Sequence, residues 1–296
     1  MQINRFMIRP IVEQALREEM GPGDTTGGFL VDEDLVADAQ IYVKKPAVVC
    51  GMLMADESIR TLDPEAVIAH EARDGDEVPP GQVLLRIKAR AWALFAVERV
   101  ALDWIQHLSG VATKTRRYVR LVEPFGVRVT DTRKGVPGIR FLHKYAVRMG
   151  GAHNHLFGLH NCILVKDNHI KVAGGIRPAV AQLRARAQHT FKIEVECETH
   201  EQVREALEAG AEVIMFDNMS LEDVREGVRL VAGRAMTEAS GSVREDTIVP
   251  IAETGVDVIS VGDLTHSVSA VDASLDVGEL KPSARRDIDI ALTQRS

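Results

Sequence analysis

The stretch KIEVECETHEQVREALEAGAEVIMFDNMSLEDVREGVRLVAGRAMTEAS, residues 192–240, decides the fold. It sets three short β-type runs, KIEVEC from Lys192, VIMFD from Val213 and RAMTEAS from Arg234, between segments of helical spacing, THEQVREALEAG and LEDVREGVRLV. Both intervals between run starts are 21 residues. A strand, a helix and another strand at that spacing call for parallel pairing, because the helix must carry the chain back along the sheet. Outward from this core, CILVK starts 30 residues before Lys192, VISVGD starts 24 residues after Arg234, and VRVTD starts at Val127. Six such units predict a complete or incomplete α/β barrel; a doubly wound open sheet is the alternative that strand counting leaves open.

Residues 1–90 have another rhythm. Pro10 to Glu19 has helical spacing, DLVADAQIYVKKPAVVCG reads as two short strands around Pro46, and EARDGDEVPPGQVLLRIKAR as a strand after a Gly/Pro turn. AWALFAVERVALDWIQHL, from Ala91, is an amphipathic helix expected to stop near Gly110, with a second helix running into Glu123. Composition narrows the function. With 45% hydrophobic residues the chain is no disordered polymer, and 43 acidic against 36 basic side chains, net −7, argue against a nucleic-acid or membrane-surface binder. Three cysteines without a CxxC pair suit a reduced, cytoplasmic protein. The first twenty residues are broken by Arg5, Arg9, Glu13 and Arg17, and no apolar run approaches the ~18 residues of a span, so neither a signal peptide nor a membrane helix is expected.

The chemistry lies where the strands stop. VRVTD runs into Thr132, Arg133 and Lys134; CILVK ends on Lys166; KIEVEC carries Glu194 and Glu196. VIMFD ends on Asp217, RAMTEAS leads into Ser240, Gly241 and Ser242, and VISVGD reaches Gly262 and Asp263. Barrel enzymes gather their catalytic groups at these ends, so the pattern predicts an enzyme. Between Arg128 and Lys171 there are eight Lys/Arg against Asp131 and Asp167, a local +6 in an acidic chain, with five of the ten histidines. Such a focus suits a phosphate ester or a carboxylate. Arg140, Lys144 and Arg148 are spaced as a solvated helix face, whereas Arg133 and Lys166 adjoin buried strands. Glu196 and Asp217 suit ribose hydroxyls or a magnesium ion, and EASGS with SVGD suits a phosphate held by backbone N–H groups.

These residues are recognisable as a set. DTRKGVPGIRFLHKYAVRMGGAHNHLFGL with LVKDNHI resembles the signature of the quinolinate phosphoribosyltransferase family, and GPGDTT, ERVALDWIQHLSGVAT, IEVE, FDNMS, EASGS and VISVGDLTHS follow in the family's order. The resemblance implies an N-terminal α/β sandwich over residues 1–112, an incomplete α/β barrel over 113–270, the type II phosphoribosyltransferase fold, and a C-terminal segment, 271–296, returning to the first domain. It implies transfer from phosphoribosyl pyrophosphate, with magnesium, to the ring nitrogen of quinolinate, giving nicotinate mononucleotide, pyrophosphate and CO2. Lys134, Lys166, Glu196 and Asp217 would be catalytic, the two carboxylates also serving the magnesium. Arg133 and His155 would orient the acid, Thr132 would be a further substrate-binding residue, and Ser240, Gly241, Ser242 and Gly262 would surround the 5′-phosphate. Arg99 would reach into the site of a second copy in a homodimer or higher oligomer.

The chain departs from the family pattern in places. Gly135 and Val136 replace a Thr-Thr pair, Ala152 and Ser242 replace glycines, Asp103 stands where asparagine is common, and Leu156 replaces the arginine of a His-Arg pair. Losing one partner of a buried charge pair costs about 3–5 kcal/mol. Either another cation compensates, with His153, Arg148 and Lys144 as candidates, or the acceptor is a less anionic heteroaromatic acid. A non-catalytic ligand-binding paralogue is the alternative from another class. His153-x-His155 suggests a zinc hydrolase, but no third ligand has the needed spacing. Cys197, between Glu196 and Glu198, is expected to be a buried structural thiol.

Overall fold

A computed structural model describes residues 3–279 and divides the chain into two compact units. The first takes in the described chain up to Lys114, Arg148–Gly151 and the described chain from Val268 to Glu279; the second takes in Thr115–Val147 and Ala152–Ser267.

In the first unit, β1 (Val36–Val43), β3 (Val67–His70), β5 (Val83–Arg90) and β12 (Ala273–Val277) form an antiparallel sheet in the order β12-β1-β5-β3. A two-residue ladder joins β2 (Ala47–Val48) to β4 (Glu77–Val78). The expected strands on either side of Pro46 are therefore β1 and β2. The β12–β1 pairing is locked by a buried hydrogen bond from Tyr42 Oη to Asp276, 2.9 Å. Of the expected C-terminal segment 271–296, residues 280–296 lie outside the described residues.

Helix α1 (Arg5–Met20) is capped by Asn4 and buries Ile8, Val12 and Leu16, spaced four apart, on one face. It packs on α3 (Met52–Leu62), which buries two adjacent carboxylates, Asp56 and Glu57. Arg5 bonds both, Arg9 bonds Glu57 at 2.9 Å, and Arg60 and His70 bond Asp56 at 2.8 and 2.9 Å.

Past a short helix, α2 (Thr25–Leu30), N-capped by Asp24 of the GPGDTT turn, the chain reaches α4 (Ala91–Val122). The expected stop at Gly110 is corrected here, since α4 is one continuous helix of 32 residues. Packing is the reason. A Cβ at Gly110 would sit 2.4 Å from the Ser269 carbonyl oxygen, so glycine admits the neighbouring backbone, which offsets its cost of about 1 kcal/mol in a helix.

The second unit holds the six repeats: β6 (Arg128–Thr130), β7 (Ile163–Val165), β8 (Ile193–Cys197), β9 (Val213–Asp217), β10 (Met236–Ser240) and β11 (Val258–Ser260). All pair in parallel, in the order β6-β11-β10-β9-β8-β7. Strands run in chain order from β7 to β11, and β6 joins at the far edge. This cyclic order is that of a barrel, without the mid-sheet reversal of a doubly wound fold. The circle stays open between β6 and β7, where an isolated bridge pairs Thr130 with His153, so the barrel is incomplete. Helices α5 (Arg140–Met149), α6 (Asp167–Ala173), α7 (Ile176–Arg186), α8 (His200–Glu208), α9 (Leu221–Val231), α10 (Ile248–Ala252) and α11 (Asp263–His266) connect the strands. Their starts are written locally: Thr199 and Gln202 form a capping box on α8, and Ser220 caps α9.

The ion cluster in the first unit sets an acid limit. Burial pushes the Asp56 carboxyl up, but hydrogen bonds from His70, Arg5 and Arg60 outweigh it and hold the group below its ordinary 3.8. A depressed carboxylate contributes stability that is present above the unfolded value and is lost as pH falls through the folded one. In urea unfolding, Asp56→Asn is expected to be less stable than the parent near neutrality, and the gap should close as the pH drops below about 4.

Candidate active site

Residues at the C-terminal ends of all six parallel strands line one cleft of about 620 Å³ within the second unit. Thr132, Arg133 and Lys134 enter just after β6, and Lys166 directly after β7. Glu196 comes from β8, Asp217 from the end of β9, and Ser240, Gly241 and Ser242 from the end of β10 and the turn beyond. His155 enters from the segment that bridges the open seam. Ten residues expected in a site thus share one cavity.

Two others stand apart from its lining. Gly262 immediately precedes α11, and a Cβ there would meet Lys134 Cδ at 3.1 Å and the His266 ring at 3.2 Å, so it lies against Lys134. Arg99 sits on the part of α4 in the first unit, half exposed, with a 3.3 Å ion pair to Asp103 one turn on. Arg140, Leu164, Met215, Asn218 and Ser260 also line the cleft. Arg140 had read as part of a solvated helix face, and helical spacing alone could not aim it inward.

Register aligns the groups. Asp217 pairs with Ser240, and Glu196 with Met215, so the carboxylates and the phosphate-type turn stand on adjoining strands. Asn218, at φ +53°, donates from Nδ2 to Asp217 Oδ2 at 2.8 Å and from its backbone N–H to the Ser240 carbonyl at 3.0 Å. Gly241 has φ +106°, and a Cβ there would lie 2.2 Å from Asn218 Oδ1, so only glycine fits. Lys166 Nζ donates to Glu196 Oε2 at 2.7 Å.

Below the cationic lip lies a buried knot. Lys144, expected on a solvated face, is 1% exposed and donates to Asp131 Oδ1 at 2.5 Å. The same oxygen accepts the His155 backbone N–H at 2.9 Å, and Oδ2 accepts Asn154 Nδ2 at 2.9 Å. The apolar spacing of α5 was visible in the sequence, but a lysine on that face signals a partner only once Asp131 is seen opposite. Burial dominates both ionisable groups, raising Asp131 and lowering Lys144 against their mutual attraction. Leu156, next in the chain, is buried and absent from the cleft lining.

His155 Nε2 lies 2.9 Å from Glu194 Oε2 and 3.7 Å from Glu238 Oε1, and both carboxylates are almost sealed from solvent. The carboxylates missing from the linear spacing around His153 and His155 thus arrive from β8 and β10, and the three residues have the composition of a cation site. Burial lowers the His155 pKa, but Glu194 and Glu238 outweigh it and raise it above 6.5. Burial, then the charge of Glu194, lifts Glu238 well above the usual carboxylate range, against the opposing pull of His155. Cys197 is buried and its pKa is pushed up to about 12 by burial and then by Glu196 and Glu205, so it is no nucleophile.

A parallel barrel with cations, carboxylates and a glycine turn at its strand ends defines a barrel enzyme for a polyanionic substrate. The chain belongs to the quinolinate phosphoribosyl transferase family: residues 24–109 match the family's N-terminal domain and 111–276 its C-terminal domain. It is 41% identical to a probable nicotinate-nucleotide pyrophosphorylase [carboxylating] of Bacillus subtilis (strain 168), over 93% of this chain and 95% of that protein. A probable nicotinate-nucleotide pyrophosphorylase [carboxylating] of Methanothermobacter thermautotrophicus is 35% identical, over 92% and 99%. The crystal structure of NadC from Streptococcus pyogenes superposes with a TM-score of 0.90 at 36% identity, covering 94% of this chain and all of that one. No helix among the described residues is long and apolar enough to cross a membrane.

The buried knot yields a stability test. Lys144→Met strands the Asp131 carboxylate and is expected to cost about 3–5 kcal/mol in urea unfolding. Adding Asp131→Asn removes the stranded charge and should recover part of that loss.

Proposed function

We propose that this chain transfers the phosphoribosyl group of phosphoribosyl pyrophosphate to the ring nitrogen of quinolinate, releasing pyrophosphate and CO2 and leaving nicotinate mononucleotide. One observation carries the reading. A single cleft joins Arg133, Lys134 and Lys166 to Glu196, Asp217 and the Ser240–Ser242 turn, which are the groups needed for an acid, a diphosphate, a ribose and a 5′-phosphate.

The ring nitrogen bonds to C1 of the ribose as the pyrophosphate oxygen departs with the electron pair of the C1–O bond. Positive charge builds at C1 and negative charge on the leaving oxygens. Lys134 and Lys166, which line the cleft, stabilise those oxygens in this reading, an electrostatic role that needs no covalent intermediate. When the neighbouring carboxylate leaves as CO2, the adjacent positive pyridinium nitrogen stabilises the electron pair left on C2, and a proton then bonds to C2. Arg133 and His155 orient the acid, which supplies proximity. Thr132 Oγ1 accepts the Lys134 backbone N–H at 3.1 Å and so shapes the turn that presents the two cations. At Gly241 and Ser242 φ is positive, at +106° and +49°, a turn conformation suited to cradling the 5′-phosphate with backbone N–H groups.

Glu196 and Asp217 are half-buried oxygen donors on adjoining strands, which fits magnesium, an ion that takes few carboxylates and keeps substrate phosphates as ligands. Bound with the diphosphate, magnesium would neutralise its charge. The two carboxylates would also hold the ribose and favour positive charge at C1. We place the enzyme in the cytoplasm as a homodimer or larger homo-oligomer, with Arg99 of one copy reaching the cleft of another. An exposed i,i+4 pair such as Arg99–Asp103 holds a side chain weakly, leaving it able to turn.

The missing arginine at position 156 favours a second reading, an acceptor with one carboxylate fewer. Lys144 is engaged by Asp131 and does not compensate. Arg140 lines the cleft and is the cation that supports the dicarboxylate.

Following pyrophosphate release with quinolinate and with nicotinate separates the two. Quinolinate should be the better acceptor, and Arg140→Ala should raise its KM roughly tenfold, with a smaller effect on nicotinate. Turnover of nicotinate alone would establish the less anionic acceptor, and ligand binding without pyrophosphate release would establish a non-catalytic paralogue. Lys134→Ala should lower kcat by about 10² to 10³ with the fold intact, and near-normal turnover would remove Lys134 from its role.

A further inference from the structure

Against His155, outside the lining of the cleft, stand two carboxylates that the mechanism above leaves unused. Glu194 on β8 and Glu238 on β10 are each 3% exposed, and Glu194 Oε1 and Glu238 Oε1 have no hydrogen-bond partner among the described residues. Two buried carboxylates facing one another are costly unless a cation lies between them or one keeps its proton, and the raised Glu238 shows how strongly they oppose each other. The nearby lysines are committed elsewhere, Lys144 to Asp131 and Lys166 to Glu196. His155 is the group within reach, with Nε2 at 2.9 Å from Glu194 and 3.7 Å from Glu238. The 2.9 Å contact is a hydrogen bond, so Nε2 is the nitrogen that Glu194 engages.

We propose that Glu194 and Glu238 are positioning residues for the acid substrate: they lock the His155 ring through Nε2 and keep it a cation, so that Nδ1–H serves the substrate carboxylate. The inference rests on reading the cleft as an acid pocket. Once Nε2 is engaged by Glu194, Nδ1 is the one ring nitrogen left for the cleft. In a neutral ring protonated at Nε2, Nδ1 carries a lone pair and repels a carboxylate; in the imidazolium both nitrogens donate. The upward direction of the His155 pKa, against burial, agrees. The main chain of the same residue is pinned separately, through its N–H to Asp131. Ring and backbone are therefore held by different elements, as a group that aims a hydrogen bond requires. Glu238 is the weaker partner, since it stands farther away.

Glu194→Gln keeps an oxygen acceptor and removes the charge. Its KM for quinolinate should rise roughly ten- to hundredfold. Its KM for phosphoribosyl pyrophosphate should stay within about twofold, and kcat should change less than the quinolinate KM. Glu238→Gln should shift the same constants in the same direction by less. In a His155→Ala background, Glu194→Gln should add no further loss. Histidine 15N spectra of the unliganded native protein should show His155 protonated on both nitrogens, and in Glu194→Gln as a neutral tautomer. The proposal is overturned if both KM values rise together, if the Glu194→Gln loss persists without His155, or if His155 is neutral in the native protein. The spectra need no turnover, so a chain inactive on quinolinate would sink the proposed function while leaving the His155–glutamate assignment to be judged by itself. Should Glu194→Gln fail to fold, Glu238→Gln and the native spectrum still decide.

Discussion

The buried ion pair of Lys144 with Asp131 is the constraint on which the cleft depends. The barrel is open between β6 and β7, where an isolated bridge takes the place of a full ladder. The two chain segments flanking this seam, 131–134 and 153–155, carry Arg133, Lys134 and His155 of the cleft lining. Asp131 ties them together, because its oxygens take Lys144, the His155 backbone N–H and the Asn154 side chain at once. Removing either partner of such a pair strands a buried charge, and the remaining capacity of the Asp131 carboxylate is taken by the His155 N–H and Asn154. The Phe157 ring, 5.5 Å from Lys144 Nζ, adds a face for the ammonium.

From that seam the charge is arranged around the sheet in chain order. Cations follow β6 and β7, carboxylates sit on β8 and β9, and the glycine turn follows β10. Because the strands are parallel and in register, all these groups leave the sheet at the same end. Lys166 and Glu196 meet at the boundary between the cationic and acidic sectors, so neither charge is left exposed to the other sector alone. An anionic acid and the diphosphate of a sugar can then lie side by side, each facing the charges it needs. Beneath them, sealed carboxylates hold a histidine in place, and this lower layer is as organised as the surface that touches substrate.

Much of this was legible before any coordinates. Repeats of 21–30 residues specify parallel strands, since a returning helix needs that length, and the polar residue at each strand end marks the catalytic rim. Thr132 to Lys134, Lys166, Glu196, Asp217 and Ser240 to Ser242 could be picked out this way because they immediately follow or end β-type runs. The helix across Gly110 could not, because glycine reads as a stop until the Ser269 backbone is seen packed against it. Nor could Arg140 and Lys144 be told apart, four residues apart on one helix, one in the cleft and the other wholly buried.

The sequence by itself determined the strand–helix alternation of the second unit, the sign of the charge at its strand ends and the family, because these follow from local periodicity and from contiguous motifs. Only the tertiary structure decided that the sheet curls into an open barrel, that Asp131 receives Lys144, and that Glu194 and Glu238 converge on His155. Those pairings join residues from 13 to 83 positions apart, for Asp131 with Lys144 and His155 with Glu238. The stability of each depends on burial and on what lies opposite. Burial belongs to the packed chain as a whole and is written in no single stretch of it.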